Sequence, residues 1–302
     1  MFRSCCFLRR AIIATVTIAS LLSVACASPL PASGATGVLF IDLNNATAEI
    51  AAIRTSLPSL DSQLVVLPST ERIPASRRLQ ILAVQRRLGA ATLQALDCVH
   101  DSGPRNCHAV WSDMRALELE RLRLGGNYGI DELTADIQRH VIDAGVTINM
   151  VILSGHHSGG YFGGELARLD AIDLRTLDVL FPALFGNVRS VLLLGCETGT
   201  PRLLQDVFAP LFPSARVIVG AEDYAPTRDE GRNLRFIRAV MRHQPALMQA
   251  HSAGTAARIH NLLLKQSWPV AMLWDREHYF ARDIYQRLVA AMPLARVAHY
   301  AQ

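Results

Sequence analysis

Six short apolar runs, continuous or nearly so, constrain this chain more than anything else in it. They are Val38–Leu43, Leu64–Leu67, Ile148–Leu153, Val191–Leu194, Val217–Val219 and Val270–Trp274. A strand with one wet face alternates polar and apolar residues. A run without alternation implies cover on both faces, the environment of a parallel sheet. Helical patterns fall between the runs: Ala46–Leu57, with Asn44 or Asn45 as its cap, then Asp131–Ala144 and Leu203–Phe212. Strand–helix alternation of this kind predicts an α/β chain: an open, mostly parallel six-stranded sheet flanked by helices, with right-handed crossovers.

Residues about 72–125 break that rhythm. The stretch holds two helix-like patterns, Ala75–Asp97 and Ala109–Leu124, and reads as a helical hairpin inserted into the sheet fold. Cys98 and Cys107 fall between them. In an oxidising compartment they would close the short loop Val99–Asn106, a bridge worth roughly 2–3 kcal/mol in the chain-entropy model. Cys98, His100, Cys107 and His108 as a metal set, or two free thiols, are the other outcomes. After Trp274 a helix from Ala281 to about Ala298 is expected to end the chain.

The first 27 residues read as an export signal: Arg3, Arg9 and Arg10, an apolar run Ala11–Ala25, then the small residues Ala25-Cys26-Ala27. Cys26 is open to lipidation or to simple cleavage beside it. Residues 28–37 form a linker and 38–302 the α/β domain. Three arginines and no acid leave with the signal, so the formal charge falls from +4 to +1. Twenty-nine of the 30 basic residues are arginine, none clustered on a nucleic-acid motif, and a nucleic-acid partner is not expected. The expected location is the bacterial periplasm or cell envelope, with a membrane engaged only through the signal or a lipid on Cys26.

Two strand ends carry the chemistry. The third run continues into Ser154-Gly155-His156-His157-Ser158-Gly159-Gly160, and the fourth into Gly195-Cys196-Glu197-Thr198-Gly199. Ligands of open α/β sheets bind beyond the carboxyl ends of the strands, so adjacent ends would bring a thiol and an imidazole together. Once Cys98 and Cys107 pair, Cys196 is the unpaired thiol of the exported domain. A helix starting near Thr198 or Pro201 would favour its thiolate, and amides of the turn around Gly195 would cradle an oxyanion. Glycines 155, 159, 160, 163, 164, 195 and 199 would leave room for a peptide backbone.

Leu192-Leu193-Leu194-Gly195-Cys196-Glu197-Thr198-Gly199 resembles the cysteine motif of CHAT-domain proteins, within the caspase-like clan that includes clostripain, gingipain and separase. Ile152-Leu153-Ser154-Gly155-His156 is similar to that clan's histidine motif. The resemblance spans about residues 37–225. It implies a caspase-like fold and a cysteine endopeptidase without cofactor or metal, acting on a protein or peptide through a thioester acyl-enzyme. His156 would be its base and Cys196 its nucleophile. The clan has glycine after the histidine, where its amide helps bind the oxyanion; here that residue is His157, which is also an alternative base. Glu222 and Asp223 after the fifth run, and Asp275 and Glu277 after the sixth, are candidates to line a pocket for arginine or lysine, or are ordinary loop acids. Two other readings stay open: a serine α/β-hydrolase using Ser158, Asp223 and His278, although His156 stands where the elbow needs a small residue, and a non-catalytic caspase-like binding module.

Overall fold

All six apolar runs are strands of one sheet. A computed structural model describes residues 36–57, 63–125, 128–158, 160–228, 230–266 and 269–282. The signal segment, nearly all of the linker and all but the first two residues of the expected C-terminal helix lie outside the described residues, and those two, Ala281 and Arg282, are not helical. The strands are β1 (Thr36–Asp42), β2 (Gln63–Leu67), β3 (Thr147–Ser154), β7 (Ser190–Leu194), β8 (Val217–Ala221) and β9 (Val270–Trp274), with a seventh, β10 (His278–Phe280), at the edge. Their order is β10-β9-β8-β7-β3-β1-β2. Pairing from β2 through β8 is parallel, while β9 runs antiparallel to both β8 and β10. The sheet is therefore mixed. Between β3 and β7 the chain also makes a three-stranded antiparallel sheet of β4 (His156–Ser158), β5 (Tyr161–Gly163) and β6 (Arg168–Asp170), too short to leave a period in the sequence.

Helices cover both faces, which is why the strands need no polar alternation. Leu39, Ile41, Val151, Leu153 and Leu193 pack with Leu133 and Ile137 of α4 (Ile130–Ile137), Leu174 and Leu177 of α5 (Ala171–Leu180), and Leu184 and Phe185 of α6 (Pro182–Asn187). Phe40, Ile152, Leu192, Val219 and Met272 face the other way. They meet Ile53 of α1 (Thr47–Arg54), Phe236 and Ile237 of α8 (Gly231–Gln249) and Leu263 of α9 (Ala253–Gln266). Alternate residues of each strand thus feed two separate cores.

The insertion is a helical hairpin, α2 (Ala75–Ser102) and α3 (His108–Arg123), joined by a single turn at Pro104–Asn106. Cys98 and Cys107 are disulfide-bonded across its tip, with Cα atoms 5.9 Å apart, which removes both sulfurs from the metal alternative. At its base Arg78 is buried, pairing with Asp42 at 2.7 Å and donating to the Pro68 carbonyl. The start of α1 departs from expectation. Its cap is neither Asn44 nor Asn45: the Asp42 carboxylate accepts from the Asn44 and Ala46 amides, and Asn45, at φ 53°, donates its side-chain amide to the Arg78 carbonyl.

Candidate active site

Parallel registry sets the site. Asp42, Ser154 and Leu194 occupy one row at the carboxyl ends of β1, β3 and β7. The Gly155 amide continues the ladder by donating to the Leu194 carbonyl at 3.2 Å. Two residues beyond Ser154 and Leu194, His156 and Cys196 line the same cavity of about 370 Å³. Asn44, Glu49, Glu165, Arg228 and Asn233 complete its polar wall. β2 lies to one side of β1 and β3 to the other, so the cavity sits at the switch point where doubly wound sheets bind ligands.

The doubled histidine resolves into two different environments. Successive side chains of β4 point to opposite sides. His156 is exposed and on the cavity. His157 is half-buried, its ring 5.0 Å from that of Phe162, and its Nδ1 lies 3.0 Å from the Cys196 carbonyl. A carbonyl only accepts, so Nδ1 carries the proton. Burial pushes the His157 pKa below its ordinary value despite that bond and nearby Glu197, which keeps the ring neutral at pH 7. Gly195 makes the contact possible, since a Cβ there would lie 2.8–2.9 Å from Phe162, the Gly155 carbonyl and the His157 Cβ.

Cys196 is partly exposed on the turn after β7, and the helix that follows begins only at Pro201. The thiol therefore stands ahead of the helix rather than on its first turn, and the dipole expected to favour the thiolate acts from further away. The turn is pinned to β8. The Glu197 amide donates to the Asp223 carbonyl at 3.0 Å and the Gly199 amide to the Ala221 carbonyl at 2.6 Å. Buried Thr198 donates to the Gly195 carbonyl and accepts from the Ala221 amide. Two amides expected to be free for an oxyanion are thus already used.

The acids at the cavity are not the expected ones. Glu222 lies outside its lining, accepting from the Arg282 amide, and half-burial raises its pKa. Asp223 is also outside, and holds the cysteine turn through its main chain. Asp275 and Glu277 follow β9 at the far end of the sheet. The carboxyls present are Glu49 and Glu165. Glu165 is placed by Gly164, where a Cβ would come 2.1 Å from the Leu43 carbonyl oxygen, so the loop lies directly on the end of β1. Its Oε1 accepts from Arg228 at 2.8 Å, and Arg228 also donates to the Asn44 carbonyl. Its Oε2 is buried and has no hydrogen-bond partner among the described residues. Glu49, on α1, is 2% exposed and accepts from the Ser154 hydroxyl and the Asn233 amide. Desolvation, with a smaller push from Asp42, outweighs those bonds and Arg228, and its pKa is pushed up to about 8.

None of these four, Glu49, Glu165, Arg228 and Asn233, was singled out from sequence. The available signal was Glu49, a charge on the buried stripe of α1 with Ala46, Ala52 and Ile53. The hairpin does reach the site's rim. Gln85, Arg121 and Leu122 share a second cavity of about 530 Å³ with His156, Ser158 and Glu165. The serine alternative loses its geometry. Ser158 and Asp223 lie near the carboxyl edge, but His278 pairs with Trp274, which pairs with Val217 at the start of β8. The six residues from Val217 to Asp223 put roughly 20 Å between them.

No family model, curated protein or solved structure matches this chain. Its class rests on fold and site: an α/β protein with a mixed seven-stranded sheet and a thiol and an imidazole at adjacent strand ends.

Proposed function

We propose that the chain is an exported, caspase-like cysteine endopeptidase with His156 as general base and Cys196 as nucleophile. The observation that carries this is the shared cavity: a partly exposed thiol and an exposed imidazole, each two residues beyond the paired ends of neighbouring strands. His156 takes the thiol proton as sulfur attacks the scissile carbonyl. The tetrahedral oxyanion collapses to a thioester, and the amine departs with the proton from His156. Water, deprotonated by the same ring, then releases the acid. With the Glu197 and Gly199 amides engaged, the amides of Cys196 and His157 are the oxyanion donors in this scheme. His157 is a positioning residue, its ring holding the carbonyl of the nucleophile itself. The disulfide accords with an oxidising compartment and with export.

Peptide-library cleavage by the mature chain tests the reading. Cys196→Ala is expected to lower turnover on the order of 10⁴-fold or more. His156→Ala should cost about 10²–10⁴-fold and His157→Ala no more than about tenfold. Full hydrolysis in Cys196→Ala would sink the mechanism. An iodoacetamide rate at Cys196 equal to that of free cysteine, with no cleavage, would favour the binding module.

A further inference from the structure

The helices on the Phe40 and Ile152 face of the sheet, α1, α8 and α9, lie side by side, and their charge is one-sided. From Gly231 to Gln266 the sequence holds Arg232, Arg235, Arg238, Arg242, Arg258 and Lys265, and no acid. All six of those side chains are exposed. On α1 the one acid, Glu49, is buried, whereas Arg54 is exposed. Glu230, just before α8, pairs with Arg232. Arg54, Arg235, Arg238, Arg242 and Lys265 have no side-chain hydrogen-bond or ion-pair partner among the described residues. The opposite layer mixes its signs, with exposed Asp131, Asp143 and Asp206 among Arg139, Arg175 and Arg202.

Two details of the basic face point to a lipid surface. Arg238 and Arg242, one helical turn apart, line a cleft of about 390 Å³ with Thr55 and Ser56 at the end of α1. The Ala51 and Ala52 carbonyls beside it already accept from the Thr55 and Ser56 hydroxyls, which leaves both guanidiniums for one phosphate. On α9, Leu262 is 43% exposed and lies one turn from both Arg258 and Lys265. Cations around an exposed leucine make up a face that rests on anionic lipid. Nucleic acid fits less well, because the exposed positions of these helices carry no phenylalanine, tyrosine or tryptophan for a base to stack on.

We propose that this layer is a docking face for an anionic phospholipid surface, a membrane contact additional to the signal or lipid expected at Cys26. It draws on the exported location and on no part of the peptidase chemistry. Chain connectivity supports it. α1 runs back from the carboxyl end of β1, so the cleft at its end lies toward the edge where β1 begins at Thr36. Nine residues separate Cys26 from Thr36, a reach of at most about 35 Å, so a lipid on Cys26 would keep this edge close to its membrane. The strands then run along the membrane, and the cavity at their carboxyl ends opens parallel to it.

Vesicle co-sedimentation tests this on the mature chain purified without lipid, so that no anchor contributes. At about 0.1 M salt the chain should bind vesicles of phosphatidylcholine with about one-third phosphatidylglycerol and ignore pure phosphatidylcholine. It should detach at about 0.5 M salt. Each arginine near such a surface changes partitioning about fivefold, so Arg238→Gln with Arg242→Gln should weaken binding about 25-fold. Arg175→Gln with Arg202→Gln removes the same charge from the opposite layer and should leave binding within about twofold. All four side chains are exposed, so neither pair is expected to disturb folding. Equal loss in both pairs, equal binding to neutral vesicles, no binding, or tighter binding to random-sequence duplex DNA than to the charged vesicles would overturn the proposal. A chain that cleaves peptides but ignores vesicles loses the docking face and keeps the peptidase. One that binds vesicles but stays in the cytoplasm keeps the face and loses export.

Discussion

Phe40, Leu39 and Ile152 are closed off from water between two layers of helix, whereas the hairpin's own cluster contains just Val84, Ala91 and Leu117 as buried members. Its outer surfaces leave Leu79, Leu93 and Leu96 more than three-fifths exposed. The sheet is held by packing that involves elements from end to end of the described chain. The hairpin is held by local means: a disulfide at the tip, the buried Arg78–Asp42 pair at the base, and Arg121 of α3 on the Glu165 carbonyl. The site draws on both. Nucleophile and base come from the packed region, and one wall of the adjoining groove from the stapled one.

The sharpest way to break this contrast is truncation in each region. Phe40→Ala should cost about 3–5 kcal/mol in urea unfolding, the range for a buried phenylalanine. Val84→Ala should cost about 1–2 kcal/mol, and equal losses would show that the hairpin is as densely supported as the sheet. Next in size is a pH effect confined to the sheet side. Glu49 is raised from 4.5 to about 8 on folding, so the native state holds its proton more tightly than the unfolded chain does. That contribution is complete below pH 4.5 and lost as the pH climbs through 8, a few kcal/mol in all. Glu49→Gln should flatten the slope, read as unfolding free energy against pH; an unchanged slope would assign it elsewhere. The last comparison belongs to the staple. Replacing Cys98 and Cys107 by serine should cost roughly 2–3 kcal/mol, and hydrogen exchange should quicken in α2 and α3 while β1 and β3 stay protected. Faster exchange in the strands as well would make the hairpin part of one cooperative unit.

The same contrast explains what could be read from sequence. The six strands were legible because burial on both faces writes a continuous apolar run, and the hairpin because two helix-like patterns, with two cysteines between them, fill a stretch too long for a crossover. The helices α8 and α9 were not singled out. α8 carries Arg232, Arg235, Arg238 and Arg242 along one side and Pro245 within it, which disguises its apolar stripe. His156 and Cys196 were visible because each lies two or three residues past the end of an apolar run. Glu165 and Arg228 meet across 63 positions, and Glu49 and Asn233 across 184, so no local pattern links them. The serine triad and the pocket acids Glu222 and Asp223 were assigned from their order along the chain, which does not say which way a side chain points.

Gly164 carries a consequence for genetics. Every coding change at that codon installs a β-carbon where the Leu43 carbonyl already stands. Relief would mean shifting the loop that carries Glu165. A saturation screen should therefore score position 164 as intolerant as position 196, although its residue touches no substrate and moves no proton. Intolerance in such a map marks two things in this protein, the atoms that react and the places where two main chains lie too close for a side chain.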